Sequence, residues 1–173
     1  MCFQDLAVFS RTSDYLPILN AALFTDLAFM YLNRKGVIRS ALLVDWYKRY
    51  GLSAVIADVL IIVIGIIIAR YLYRFIFSGR FNILKFVGLA VVIQVIHDVL
   101  FYKLFKSLPR GVSGILDYFK DYAKEVGAGA ILGDTGMIIL TALLASLTLN
   151  YGLNTHIIIL IVLLYLTPYF VYM

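Results

Sequence analysis

The amino-acid sequence predicts an all-α polytopic transmembrane bundle of four to five spans with one short amphipathic helix at the membrane interface. Three observations carry that expectation. Of the 173 residues, 63% are hydrophobic and only 14% charged, against about 25% charged in an ordinary soluble domain. The apolar runs approach or exceed the roughly 18–20 residues needed to cross a bilayer as a helix. Finally, no stretch is both polar and long enough to form a separate soluble unit, so residues 1–173 read as one integral membrane domain.

The first span is expected over about 15–32, where Pro17 falls in the opening turn and is tolerated there. The second covers about 53–77, the third 82–105, the fourth 127–149 and the fifth 156–173, with Pro168 bending or ending the last turn. Between the third and fourth, residues 111–126 place Val112, Ile115, Leu116, Phe119, Tyr122, Ala123 and Val126 at three- and four-residue intervals. Asp117, Lys120, Asp121, Lys124 and Glu125 take the opposite face. That one-sided stripe is expected to lie in the interface. The stretch 37–50 carries a weaker version of the same pattern.

Lysines and arginines set the orientation. The loop after span one holds Arg34, Lys35, Arg39, Lys48 and Arg49, and the loop after span three holds Lys103, Lys106, Arg110, Lys120 and Lys124. The second connection holds Arg70, Arg74, Arg80 and Lys85, and Arg11 stands alone before span one. With the first and third loops inside, the N-terminus lies outside and the C-terminus inside. Tyr31, Trp46, Tyr47 and Tyr50 at one level, and Tyr71, Tyr73, Phe75 and Phe77 at the other, are expected to form interfacial belts.

Composition also narrows the partners. The net charge of +5 comes from basic residues spread over loops and segment ends. Anionic lipid headgroups are therefore the expected partner and nucleic acid is not. Cys2 is the only cysteine, which leaves no internal disulfide and no cysteine-based zinc site; a free terminal thiol is expected. Residues 1–14 lack the basic start and apolar run of a cleavable signal, and position 2 is not the glycine that myristoylation requires.

The candidate functional residues are four aspartates inside apolar segments: Asp26, Asp58, Asp98 and Asp134. Asp26 lies six residues before Leu32, Asp98 seven before Phe105, Asp58 five after Ser53 and Asp134 seven after Gly127. At about 1.5 Å per residue all four sit roughly 8–10 Å from the same face. A carboxylate in hydrocarbon costs about 2.5–3.5 kcal/mol on insertion scales, so such groups face a partner, water or an ion. Polar company at that depth is limited to Thr25, Gln94, His97, Thr135 and Asn20. Three readings remain open: a packing or interfacial role, a cation or proton site with His97 as a further ligand or relay, and a catalytic site. A bound cation of unknown identity would be a hard one such as Mg²⁺, Ca²⁺ or Na⁺. No other cofactor is expected. His156, at the start of span five, reads as interfacial.

Gly129, Gly133 and Gly136 surround Asp134, and the Gly129–Gly133 spacing permits close helix approach. That makes span four the candidate centre of the bundle. A short repeat is also visible. The interval from Asp26 to Asp98 nearly equals that from Asp58 to Asp134, and two tandem hairpins of parallel orientation would produce this.

The segment Trp46-Tyr-Lys-Arg-Tyr-Gly-Leu-Ser-Ala-Val-Ile-Ala-Asp-Val-Leu-Ile-Ile-Val-Ile-Gly, with Leu19-Asn-Ala-Ala-Leu-Phe-Thr-Asp upstream, resembles multispanning membrane proteins of giant nucleocytoplasmic DNA viruses. The likeness is one of motif over about positions 1–75 and of layout alone over the rest. It implies a viral protein of the virion's internal membrane or of a host membrane used in assembly, in contact with capsid proteins. Two functions follow as expectations. One is a structural membrane component. The other is a small cation- or proton-conducting channel or transporter built on the aspartate layer, which at five spans would work as a homo-oligomer. No nucleophile–base pair or His-Glu-x-x-His motif points to an enzyme.

Overall fold

A computed structural model describes residues 3–38 and 40–172, so Cys2 and Arg39 lie outside the described residues. Among those residues there are seven α-helices, one 3-10 turn (Thr12–Asp14) and no strand. The helices are α1 (Tyr15–Arg34), α2 (Ala41–Tyr50), α3 (Leu52–Ile76), α4 (Ile83–Ser107), α5 (Gly114–Val126), α6 (Ala128–Thr148) and α7 (Leu153–Val171). Five of them, α1, α3, α4, α6 and α7, are long and apolar enough to cross a membrane. Outward aliphatic faces such as Val92, Ile96 and Leu100 on α4, or Ile158, Ile161 and Leu164 on α7, have no protein cover. The chain is a multi-pass integral membrane protein.

Local chemistry sets the helix limits. Ser40, Asn82 and Ser113 cap α2, α4 and α5: Ser40 Oγ accepts from Leu43 N at 3.0 Å, and Asn82 Oδ1 from Leu84 N at 2.9 Å. Gly51 ends α2 and starts α3 at φ +55°, ψ −130°, and Gly127 joins α5 to α6 at φ +55°, ψ −131°. Only glycine takes that conformation without strain. The bonds around the two corners correspond as well. Gly51 N donates to Tyr47 O and Ala54 N to Gly51 O; in the second corner Gly127 N donates to Ala123 O and Ala130 N to Gly127 O.

These corners make the halves alike. Each runs spanning helix, loop, amphipathic helix, glycine and spanning helix: α1–α2–α3, then α4–α5–α6. α1 packs on α3 and α6, and α4 packs on α6 and α3, so the four spanning helices close a ring. Exchanging the halves leaves these pairings unchanged, as a two-fold along the bundle requires. The core follows the register that takes Gly51 to Gly127. Ile62, Gly65, Ile66, Ala69 and Arg70 are buried on α3, and their counterparts Ile138, Thr141, Ala142, Ala145 and Ser146 are buried on α6.

α7 breaks the symmetry. It lies parallel to α1 on the outside of the ring, fixed at one end by Asn20 Nδ2 donating to His156 O (2.9 Å) and at the other by Arg34 donating to Val171 O (3.0 Å). At the end of the bundle opposite α2 and α5, the N-terminal segment buries Leu6 and Ala7. It meets α6 where Ser146 Oγ donates to Gln4 O at 2.7 Å.

Several sequence expectations are corrected here. Arg70 is not a loop cation. It is fully buried in α3, donating to Asp14 Oδ2 (2.9 Å), Val8 O (2.6 Å) and Arg11 O (3.0 Å), with its guanidinium 5.0 Å over the Tyr15 ring. His156 is buried rather than interfacial: Nε2 lies 3.1 Å from Thr148 O and Nδ1 3.3 Å from Asn20 Nδ2. With Asn20 as the donor, the imidazole proton belongs on Nε2. Tyr31, Tyr71 and Phe75 are exposed, as belt residues would be, but Trp46, Tyr47 and Tyr73 are buried. The fifth spanning helix, α7, begins at Leu153, three residues before the expected start.

Candidate functional site: a carboxyl layer under two amphipathic helices

The four aspartates lie at the end of the bundle that α2 and α5 cover. α2 carries apolar and aromatic residues on one side and polar ones on the other, and its glycine corner turns the aromatic side down onto the ends of α1 and α3. This brings Tyr47 and Trp46 to two of the carboxyls. The Tyr47 hydroxyl lies 2.9 Å from Asp26 Oδ1 and 3.0 Å from Asp58 Oδ2, and Trp46 Nε1 donates to the same Asp58 oxygen at 3.0 Å.

The hydrogen count at this bridge is informative. A phenol has one proton to donate, yet its oxygen is within bonding distance of two carboxyls. The second contact therefore needs a proton from a carboxyl group. Asp58 Oδ2 already accepts from Trp46, so it is the natural acceptor for the phenol, and Asp26 supplies the other proton. Asp26 is fully buried and its Oδ2 has no partner, a site where an ionised carboxylate would be costly. Burial first, then the nearby Asp58 and Asp26 carboxyls, holds the Tyr47 hydroxyl well above the ordinary phenol value of 10.0, so it remains a donor.

The second half is built on the same register with different side chains. Positions 45–62 align with positions 121–138, pairing Asp45 with Asp121, Lys48 with Lys124, Gly51 with Gly127, Ala54 with Ala130, Asp58 with Asp134 and Ile62 with Ile138. In that register Trp46 corresponds to Tyr122 and Tyr47 to Ala123. A methyl group stands where the first half has its bridging phenol. Asp98 and Asp134 instead line an open cavity of about 410 Å³ between α4, α5 and α6, walled by Phe101, Tyr102, Phe105, Phe119 and Tyr122, with Ala123 at its edge. Asp98 Oδ1 accepts from Gln94 Nε2 at 2.6 Å, whereas its Oδ2 is buried without a partner. The Asp134 carboxyl makes no hydrogen bond among the described residues and lies within electrostatic reach of Asp98 and Asp58. Burial, then Asp134 and Asp58, raises the Tyr122 hydroxyl above its usual range.

The layer is thus a hydrogen-bonded pair, Asp26 and Asp58, beside an open pair, Asp98 and Asp134. His97 stands at its margin. Nδ1 is 3.2 Å from Asp98 Oδ1, but the side chain is 38% exposed, stacks on Phe101 and does not line the cavity. Among the described residues no three His, Cys, Asp or Glu side chains are grouped as for a metal ion.

The glycines divide. A side chain at Gly136 would meet the Phe29 ring at 3.2 Å, so α1 and α6 approach closely there. Gly133 faces open space, and Gly129 meets only Val126 on the preceding helix. The Gly129–Gly133 spacing is not where the helices touch. Gly65, with Ile138 Cδ1 3.5 Å from its would-be side chain, is the close approach of α3 to α6.

Trp46, Tyr47 and Ala123 were not singled out by sequence reasoning, which assigned the first two to the interfacial belt. Extending the spacing of Asp58 and Asp134 to Lys48, Gly51 and Ala54 would have set Trp46-Tyr47 against Tyr122-Ala123. No protein family matches the chain, and neither a curated protein nor a solved structure is similar to it.

Proposed function

We propose that this multi-pass membrane protein moves protons, taking them up and releasing them through its layer of four carboxyls. The observation that carries the reading is the Tyr47 oxygen within hydrogen-bond distance of both Asp26 and Asp58. Passage of the Asp26 carboxyl proton to the Tyr47 oxygen, as the Tyr47 proton passes to Asp58, switches which carboxyl is neutral, and rotation of the hydroxyl once Asp58 has released its proton resets the relay. Asp134, near Asp58 and facing an open cavity, extends the path towards the surface on the α5 side.

The test is proton flux in liposomes holding a pH-sensitive dye, driven by a potassium diffusion potential. The expected result is flux above protein-free vesicles that is lost in Tyr47→Phe and Asp58→Asn. Wild-type flux at the protein-free level refutes the reading.

The competing reading is a structural component of a viral or virus-modified membrane, anchored in lipid and meeting capsid proteins through its basic loops. It draws on the resemblance carried by the N-terminal segments around Asp26 and Asp58, and on exposed cations such as Lys103, Lys106 and Arg110. This reading expects no flux, and co-purification with capsid components from infected cells.

A further inference from the structure

The two halves differ most where Tyr47 in one is matched by Ala123 in the other. In the first half the phenol ring fills the space between the aspartates of α1 and α3, and its hydroxyl reaches both. In the second, the corresponding space between Asp98 and Asp134 is part of the 410 Å³ cavity. That volume falls within the roughly 300–1,000 Å³ of small-molecule sites. We propose that this cavity binds a small aromatic amine in its protonated form, the ring occupying the place of the missing tyrosine and the ammonium facing Asp98 and Asp134.

Three features select that chemistry. The Asp134 carboxyl lacks a protein donor, Asp98 lines the same cavity beside it, and an ammonium has three N–H groups to serve two carboxyls where a phenol has one. Among the described residues no lysine or arginine lines the cavity, so its charge is complementary to a cation. The remaining wall is aromatic, and rings attract cations through their faces. Tyr102 already does so at the rim, with Lys106 Nζ 5.4 Å from its centroid. The carboxyls favour the amine, and the rings hold its apolar part. Binding at equilibrium does not require proton movement, so this inference and the proposed function fail separately.

The experiment measures saturable binding of phenethylamine to the protein in nanodiscs by equilibrium dialysis against empty nanodiscs. The neutral p-cresol, the side chain of tyrosine, is run in parallel. Trp46, 5.1 Å from the cavity residue Phe119, gives a second readout by its emission. Phenethylamine should bind at least tenfold tighter than p-cresol. Asp134→Asn should weaken the amine about tenfold or more and leave p-cresol unchanged, since a bond to a charged group is lost only for the amine. Ala123→Tyr, which restores the side chain of the first half, should abolish both. Equal affinity for amine and cresol, or amine binding unaffected by Asp134→Asn, overturns the proposal; the second criterion holds even if Ala123→Tyr does not fold.

Discussion

Replacing Tyr47 with Phe removes one oxygen and leaves the ring. The lost atom is within hydrogen-bond distance of Asp26 Oδ1 and Asp58 Oδ2, and after the change Asp26 retains no hydrogen-bonding side chain while Asp58 retains only Trp46. An ordinary interhelical hydrogen bond in a membrane protein contributes about 0.6 kcal/mol, because the unfolded chain in the membrane finds other partners. Two circumstances raise the figure here. Asp26 is fully buried, so no water replaces the lost contact, and a hydrogen bond to an ionised partner contributes about 1.5–3 kcal/mol. The expected loss is therefore about 2–3 kcal/mol, measured by reversible unfolding in mixed detergent micelles. A double-mutant cycle with Asp58→Asn should return a coupling of about 1 kcal/mol or more, since the two side chains share one bond. A loss below about 0.6 kcal/mol with no coupling would refute the bridge: Tyr47 would then be an interfacial ring whose hydroxyl is already hydrated.

Three further outcomes are expected. Gly51→Ala and Gly127→Ala should each cost about 1–3 kcal/mol in thermal unfolding, because both sit at φ +55°; the two losses should be similar, since the exposed Tyr172 side chain beside Gly51 can turn aside and Gly127 has open space. Arg70→Ala should cost about 1–3 kcal/mol in thermal unfolding by removing one of the two guanidinium partners of buried Asp14, Arg11 remaining at 2.7 Å. At the α4–α5 turn, Asp117 is held below the ordinary carboxyl value first by the Gly111 amide and then by Lys120, and Asp121 first by its bond to Arg110. Lowered folded values contribute stability above the unfolded value near 3.8 that is lost as pH falls through the folded values. The protection of amides at residues 110–121, taken relative to their intrinsic exchange at each pH, should therefore fall below about pH 4 while that of α1 is unchanged.

The halves show why some of the site was legible and some was not. An aspartate inside an apolar run is conspicuous in one dimension, because nothing soluble surrounds it and its depth follows from helix rise alone. Asp26, Asp58, Asp98 and Asp134 could thus be placed in one layer before any contact was known. Trp46 and Tyr47 could not. An aromatic residue beside Lys48 and Arg49 at a helix end satisfies the belt rule whether it faces lipid or the bundle, and the choice depends on the direction in which Gly51 turns α2. His156 and Arg70 were misplaced for a related reason. A polar residue at a span end is usually wet, and these two are dry because the N-terminal segment and α1 bring carbonyls and a carboxylate to Arg70 and an amide to His156.

Sequence alone determined the class of solvent, the long apolar helices to within one, the amphipathic character of residues 111–126 and the common level of the acidic groups along their helices, because each depends on local hydropathy and a constant helical rise. Only tertiary structure decided that α2 and α5 fold over one end, that one carboxyl pair is bridged by a phenol, and that the matching pair is open. Those outcomes rest on contacts between residues far apart in the chain, and on a single methyl group at Ala123 in the place of a ring.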